Sequence, residues 1–278
     1  MKKIAIFILF ASSLLNVTGQ GKVTKQTVDD FFKSKTCVVL NDEMISGYNI
    51  EIQDVVKREW TITPFEIITW AQFEERKADP SISFLLINQV RFESDKTAAM
   101  YNFCSLVMGG NYRLFAEMPD LCPIPLSYSS VDEDSYLFKL NTFIIFMQQH
   151  LEMLKEHPER ISSNIFKYYA KNTTEIKGKT LCLLKDELTG EINTLPKIQK
   201  VYKGKVELLT KDELHQKIID KEDIVFFHKV GPNRKMRGRC YKVMMGAKDA
   251  KLYYIDYHTI SEDKPDGLLE SDLKSLSK

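Results

Sequence analysis

The chain has 278 residues, 44% of them hydrophobic, and its 39 basic side chains nearly balance 38 acidic ones. The length suggests roughly two domains, and a hydrophobic fraction this high excludes a disordered or collagen-like chain. A formal net charge of +1 removes the bulk electrostatic attraction on which most nucleic-acid binders depend. We therefore expect a globular protein with no nucleic-acid partner.

The first 19 residues have the pattern of an export signal. Lys2 and Lys3 precede an uncharged, largely apolar run at 4–17, and the small residues at 17–19 fit a signal-peptidase site. As a helix the run would reach about 21 Å, short of the roughly 30 Å hydrocarbon core, which favours a signal peptide at 1–19 over an uncleaved anchor. No later segment is long and apolar enough to span a membrane. We expect a periplasmic or secreted protein with no integral membrane segment after cleavage.

Five cysteines occur in a chain that is expected to meet an oxidising compartment. None belongs to a CxxC motif, and the odd number leaves at least one thiol free or paired between chains. Cys37 and Cys182 lie inside apolar strand-like runs and are interpreted as buried small hydrophobes. A disulfide that involves Cys104, Cys122 or Cys240 stays open, because spacing does not determine the pairing.

The chain contains an internal duplication. Residues 35–43 align with residues 179–187 at an offset of 144, with five of nine positions identical. Three further matches follow in the same order while the offset falls gradually to 137, and a short Pro-Asp match comes last. These matches pair 66–69 with 207–210, 83–90 with 223–230, 106–109 with 243–246, and 119–120 with 265–266. We predict two related lobes, at 27–128 and 176–272.

Each lobe has the pattern β-α-β-α-β-β-β, which predicts an α/β (α+β) fold with a mixed sheet. Thr69 and Thr210 are predicted helix N-caps, because Gln72 and Glu213 stand three residues further on in capping-box spacing. Right-handed crossovers are expected to place both helices of a lobe on one face of its sheet. The last two strands are predicted at 101–108 and 112–115 in the first lobe and at 240–245 and 251–257 in the second.

A helical connector is predicted at 131–172, between the lobes. Apolar residues from Leu137 to Leu154 recur every three or four positions, which indicates a helix over 136–155. Pro158 ends this helix, and a second helix is expected at 159–171. The polar face mixes charges instead of being rich in Lys and Arg, so we interpret the segment as a structural connector and not as a membrane-binding helix.

The repeated unit resembles one found in proteins of the Gram-negative envelope. An apolar strand and a helix are followed by a strand and helix of the type KVELLTKDEL at 205–214. In this pattern each half is similar to the amino-terminal domain of the Tol–Pal translocation protein and to the periplasmic domain of the curli secretion channel. The whole chain looks like an uncharacterised group of exported bacterial proteins. The resemblance, which covers about 75 residues per lobe, implies scaffolding and the binding of an envelope partner, not catalysis.

A hairpin in the second lobe concentrates five positive charges within eleven residues. Such a hairpin fits an acidic ligand or an acidic protein face; alternatively it is a solvated tip that protects a sheet edge. The corresponding turn of the first lobe mixes cations with acidic residues, so the basic character belongs to the second lobe alone. The candidate ligand-binding residues are Lys229, Arg234, Lys235, Arg237 and Arg239.

Two further groups of residues suggest chemistry. The acidic pairs 42–43 and 186–187 come just after the first strand of each lobe, where α/β sheets bind ligands, and paired carboxylates suit Mg²⁺; alternatively they are solvated loop residues. In the second lobe two histidines, a carboxylate and a thiol could bind zinc or form a nucleophile–base pair, although nothing in the sequence sets their distances. These alternative site residues are His228, Cys240, Asp256 and His258.

The sequence lacks the motifs of the common enzyme classes. It has no GxSxG, HExxH, Walker A or Rossmann pattern, so we predict no catalytic residue, no metal and no cofactor. The leading hypothesis is an exported, non-enzymatic envelope protein that binds a partner or ligand. The alternative is a hydrolase or metal-dependent enzyme with its site in the second lobe or in the cleft between the lobes.

Overall fold

The computed structural model describes residues 21–276, apart from residues 44, 162–164 and 234–236. The side chains of residues 165–167 are also outside the description. The predicted signal peptide at 1–19 therefore lies outside the described residues. Within the described part of the chain, no helix is long and apolar enough to cross a membrane.

The first lobe is built around a five-stranded mixed sheet. In chain order its elements are α1 (Lys25–Phe31), β1 (Lys35–Val39), α2 (Gly47–Glu59), β2 (Phe65–Ile68), α3 (Trp70–Arg76), β3 (Ile82–Val90), β4 (Tyr101–Met108) and β5 (Ile124–Tyr128). The strand order is β2-β1-β3-β4-β5, in which β1 runs parallel to β2 and β3 while β4 is antiparallel to both of its neighbours.

The second lobe repeats this topology. After the connector, which contains α4 (Leu140–Glu156) and α5 (Ile165–Ala170), its elements are β6 (Thr180–Leu184), α6 (Leu195–Val201), β7 (Lys205–Leu209), α7 (Lys211–Ile219), β8 (Ile224–Val230), β9 (Arg239–Gly246), β10 (Leu252–Thr259) and α8 (Glu270–Leu276). The strand order β7-β6-β8-β9-β10 reproduces that of the first sheet, strand for strand. The predicted α/β class with two β-α-β-α-β-β-β lobes is confirmed, as are the capping boxes at Thr69 and Thr210.

The last strand of the first lobe lies later than predicted. Residues 112–115 form no strand, and β5 begins only at Ile124. This strand was not predicted because Pro125 falls within it, and proline usually argues against strand structure. Here β5 is an edge strand, where a missing N–H is tolerated. The Pro-Asp match of the duplication also fails, since Asp120 precedes β5 whereas Asp266 follows β10, the strand equivalent to β5.

The two crossover helices of each lobe lie on opposite faces of their sheet, so the prediction that they share a face is wrong. In the first lobe α2 packs with Val38 in the central core, whereas Phe73 of α3 packs with Cys37 and Phe84 on the other face. The strand order explains this arrangement. Because β1 lies between β2 and β3, successive right-handed crossovers run in opposite directions and reach opposite faces.

The connector lies between the two sheets. Phe143, Met147 and Leu151 of α4 are fully buried in one core together with α2 of the first lobe and α7 of the second. The helix begins at Leu140, four residues later than predicted, because short 3₁₀ turns occupy 133–135 and 137–139. In the second lobe α6 and α8 cover the outer face of the sheet. All five cysteines are free and buried, so the structure contains none of the disulfides that the sequence left open.

Candidate functional site

A cleft of about 1990 Å³ opens between the two lobes. One wall consists of residues at the carboxyl ends of β6, β7 and β8, and the other includes the end of β5 and the 3₁₀ turns that lead into α4. The chain leaves β6 toward β7 on one side of the sheet and leaves β8, which pairs parallel with β6, toward β9 on the other side. Adjacent parallel strands whose connections run in opposite directions leave a crevice at their carboxyl ends, the usual ligand-binding position of an open α/β sheet.

A buried ion pair from the connector and the second lobe lies at this edge. Lys139, at the start of α4, is fully buried, and its Nζ donates to Glu187 Oε1 at 3.2 Å and to the Phe227 carbonyl at 3.4 Å. Burial raises the pKa of the Glu187 carboxyl, and the nearby ammonium of Lys139 opposes that rise. Lys139 Nζ also lies 3.4 Å from Nδ1 of His228, whose pKa is lowered well below its usual value by burial and by this cation.

A second buried pair adjoins the first. Lys229 Nζ, at the end of β8, donates to Asp266 Oδ2 at 2.6 Å, and both side chains are less than a tenth exposed. The Asn233 backbone N–H donates to the same oxygen at 2.9 Å. We call Lys139, Glu187, Lys229 and Asp266 the cleft floor. Glu187, Lys229 and Asp266 line the cleft, and Lys139 lies behind Glu187.

The cations of the predicted basic hairpin have different environments in the structure. Lys229 is neutralised by Asp266, and Arg239 forms an ion pair with Asp95 of the first lobe, with its Nε 2.6 Å from the carboxylate. The Arg239 guanidinium also lies over the rings of Phe92 and Tyr257. Two of the five cations are thus committed within the protein. Arg237 is exposed and lines the cleft. The two remaining candidates, Arg234 and Lys235, lie outside the described residues, so ligand binding by this hairpin stays a prediction.

The alternative site is only partly brought together. Cys240 and His258 stand opposite each other on β9 and β10, whereas His228 lies on the face of β8 that meets the connector. Asp256 is exposed, while Cys240 and His258 are buried. Burial raises the pKa of the Cys240 thiol, and His258 Nε2 lies 3.0 Å from the Pro265 carbonyl.

This geometry does not favour zinc binding or a nucleophile–base pair at these residues. A reactive thiol needs a base that lowers its pKa, whereas burial and the neighbouring Asp266 carboxylate both raise the pKa of Cys240. Among the described residues, no group of three or more His, Cys, Asp or Glu side chains is arranged to hold a metal ion.

The acidic pairs after the first strands have different environments in the two lobes. Asp42, Glu43 and Asp186 are exposed, whereas the Glu187 side chain is only 12% exposed. The sequence pattern gives no reason to weight Glu187 above Glu43, and it does not point to Lys139 or Asp266 as site residues. The one available signal was a lysine at the beginning of an otherwise apolar helix face.

Comparison of the chain with protein-family models, curated proteins and solved structures finds no match.

Proposed function

We propose that the protein is exported and binds a ligand or a partner protein in the cleft between its lobes, without catalysing a reaction. The observation that supports this proposal most directly is the cleft itself, which lies at the carboxyl ends of β6–β8 and has two buried ion pairs at its floor. Clefts between domains and at strand connections that diverge are the usual places for binding sites.

The state of the titratable groups favours binding over catalysis. The two lysines and two carboxylates of the cleft floor hold each other in charge-balanced pairs. Cys240 and His228 are buried, and the shifts in their pKa values keep the thiol protonated and the imidazole neutral. Such groups are poor nucleophiles and poor general bases, whereas the charged side chains of the cleft floor offer hydrogen-bond partners to a bound molecule.

A photo-crosslinking experiment tests binding in the cleft. A photoreactive phenylalanine analogue is placed at Glu262, which is exposed and lines the cleft, or at the control position Glu75, which is exposed on the outer helix α3. After irradiation of intact cells, we expect a specific adduct from position 262 and none from position 75. Equal labelling at both positions, or no adduct at either, would contradict the proposal.

Export is tested separately, by cell fractionation and amino-terminal sequencing. We expect the mature chain to begin at Gln20 and to be absent from the cytoplasm, because cleavage follows the small residues at 17–19. An intact amino terminus at Met1 in the cytoplasmic fraction would refute export.

The enzymatic alternative has its own test, metal analysis of protein purified without chelators. The proposal predicts substoichiometric zinc in the wild-type protein and no change in His258→Ala. Stoichiometric zinc that is lost in His258→Ala would establish a metal site and contradict the binding-only function.

A further inference from the structure

We infer that the cleft floor binds an uncharged, hydroxyl-rich ligand, a carbohydrate. This inference rests on the proposed binding function and specifies the chemistry of the molecule that the cleft accepts. It begins from the two carboxylates at the floor, each of which uses only one of its oxygens in hydrogen bonds with the described residues.

The second oxygen of each carboxylate is a hydrogen-bond acceptor to which no described residue donates. Glu187 Oε1 accepts from Lys139 and Asp266 Oδ2 from Lys229, but among the described residues Glu187 Oε2 and Asp266 Oδ1 have no hydrogen-bond partner. The Asp266 side chain is only 8% exposed and lines the cleft. A buried acceptor without a donor costs roughly 1–3 kcal/mol, so a ligand that supplies donors is stabilised here. The terminal torsions of Asp and Glu are broad, which allows these oxygens to turn toward the cleft.

Charge at the floor selects against ionic ligands. Two lysines already neutralise the two carboxylates, so an added ammonium group would meet Lys229, and an added phosphate or carboxylate would meet Glu187 and Asp266. Among the described residues that line the cleft, six carboxylates and four cationic side chains are interspersed. Neutral hydroxyl groups donate to the free carboxylate oxygens without this penalty. They also accept hydrogen bonds from Lys185 and Arg237, which are exposed and line the same cleft.

The size and walls of the cleft point to an extended molecule. Its volume of about 1990 Å³ exceeds the roughly 300–1,000 Å³ of ordinary small-molecule pockets. Phe138, which is partly exposed, lines it beside the polar floor, as does the largely buried Tyr128. An oligosaccharide presents hydroxyl groups at its edges and apolar C–H faces between them, which matches acceptors on a floor and an aromatic side chain on the wall.

The test is a glycan array that carries three classes of oligosaccharide: neutral, acidic (sulfated or uronic) and amino-sugar. The array is probed with labelled mature protein, residues 20–278. We expect retention on neutral oligosaccharides. With the strongest neutral glycan as probe, Asp266→Asn should raise Kd at least tenfold, which corresponds to about 1.4 kcal/mol. The matched control Asp212→Asn changes an exposed carboxylate of the same lobe outside the cleft and should leave Kd within twofold. Circular dichroism checks that each variant is folded, and Glu187→Gln replaces Asp266→Asn if that variant is not.

Each result decides between the two proposals. Retention only on sulfated, uronic or amino-sugar glycans, or on no glycan, overturns the carbohydrate inference. If position 262 still forms a specific adduct in that case, binding in the cleft stands and only the ligand class falls. Binding of neutral glycans with equal affinity by wild type, Asp266→Asn and Glu187→Gln would place the site outside the cleft and overturn the inference as well.

Discussion

The two lobes share a strand order but use it differently. The first sheet meets the connector through α2, the helix that follows its first strand, whereas the second meets it through α7, the helix that follows its second strand. At the carboxyl end of the first strand Glu43 is exposed, while its counterpart Glu187 is buried against Lys139. The comparison shows that repeating a fold does not repeat a site, because the site depends on what packs against the sheet.

The connector explains this difference. Lys139 at the start of α4 reaches the edge of the second sheet only, next to Glu187 and His228. At the position aligned with His228 the first lobe has Asn88, which is only partly buried. The buried charges of the second lobe therefore come from its contact with the connector and from its carboxyl-terminal segment, which supplies Asp266.

The largest expected effect on stability comes from breaking the buried ion pair between Lys139 and Glu187. Lys139→Met leaves Glu187 buried without its cation, which should destabilise the protein by about 3–5 kcal/mol in urea unfolding. The double variant Lys139→Met/Glu187→Leu should return to within about 1 kcal/mol of wild type, because no charge is then left unpaired. Glu43→Leu is the matched control in the first lobe and should change stability by less than about 0.5 kcal/mol. A cost below 1 kcal/mol for Lys139→Met would mean that the pair is hydrated and that the lobes differ less than the structure indicates.

An intermediate effect is expected at Asp120, which forms no salt bridge among the described residues, in contrast to Asp266. Burial raises the pKa of Asp120 from 3.8 to about 7, and its Oδ1 accepts a hydrogen bond from the Cys122 N–H at 3.2 Å. Because the folded pKa is the higher one, the carboxyl favours folding in its protonated form, and this contribution is lost as pH rises through about 7.

The variant Asp120→Asn should therefore gain stability relative to wild type as pH rises from 5 to 8. We expect a relative gain of about 1–2 kcal/mol. This is less than the free energy that corresponds to the whole pKa shift, because solvent partly reaches the residue. Urea unfolding at both pH values measures it. Asp266→Asn should instead be destabilising, because Lys229 loses its partner. If the unfolding free energies of wild type and Asp120→Asn changed in parallel with pH, burial would not raise the pKa of Asp120 and the prediction would be wrong.

The smallest expected effect on stability comes from removing the helix caps, a feature that the two lobes share. Thr69 and Thr210 cap α3 and α7 with the same capping box, although one helix is outside and the other faces the core. Thr69→Ala and Thr210→Ala should each cost about 1 kcal/mol, since each removes one side-chain acceptor from an exposed helix start. Thermal unfolding of the two variants should agree closely. A difference above about 1 kcal/mol would show that the caps depend on the surrounding packing.

The fold could be predicted in large part because it is encoded locally. Apolar runs, capping boxes and the order of elements gave both lobes their class, and the repeat gave their equivalence. Two features were missed for physical reasons. Pro125 lies within β5 and argued against a strand there. The face of the sheet that each helix covers depends on the strand order, which the order of elements along the chain does not reveal.

The site was harder to predict because its parts are distant in sequence. The distance from Lys139 to Glu187, or from Lys229 to Asp266, is set by the packing of the lobes and the connector. Residues selected by chemical type, such as Cys240 and His258, turned out to be buried beside backbone groups. Those selected by charge, such as Arg239, turned out to be used between the lobes.

The measurement that tests the central claim most directly compares matched positions of the two lobes. Asp186 and Asp42 are aligned and both exposed, but only Asp186 lines the cleft. With a photoreactive phenylalanine analogue at either position, irradiation of intact cells should give a specific adduct from position 186 and none from position 42. Equal adducts from both positions, or an adduct from position 42 alone, would contradict a binding site that belongs to the cleft and the second lobe.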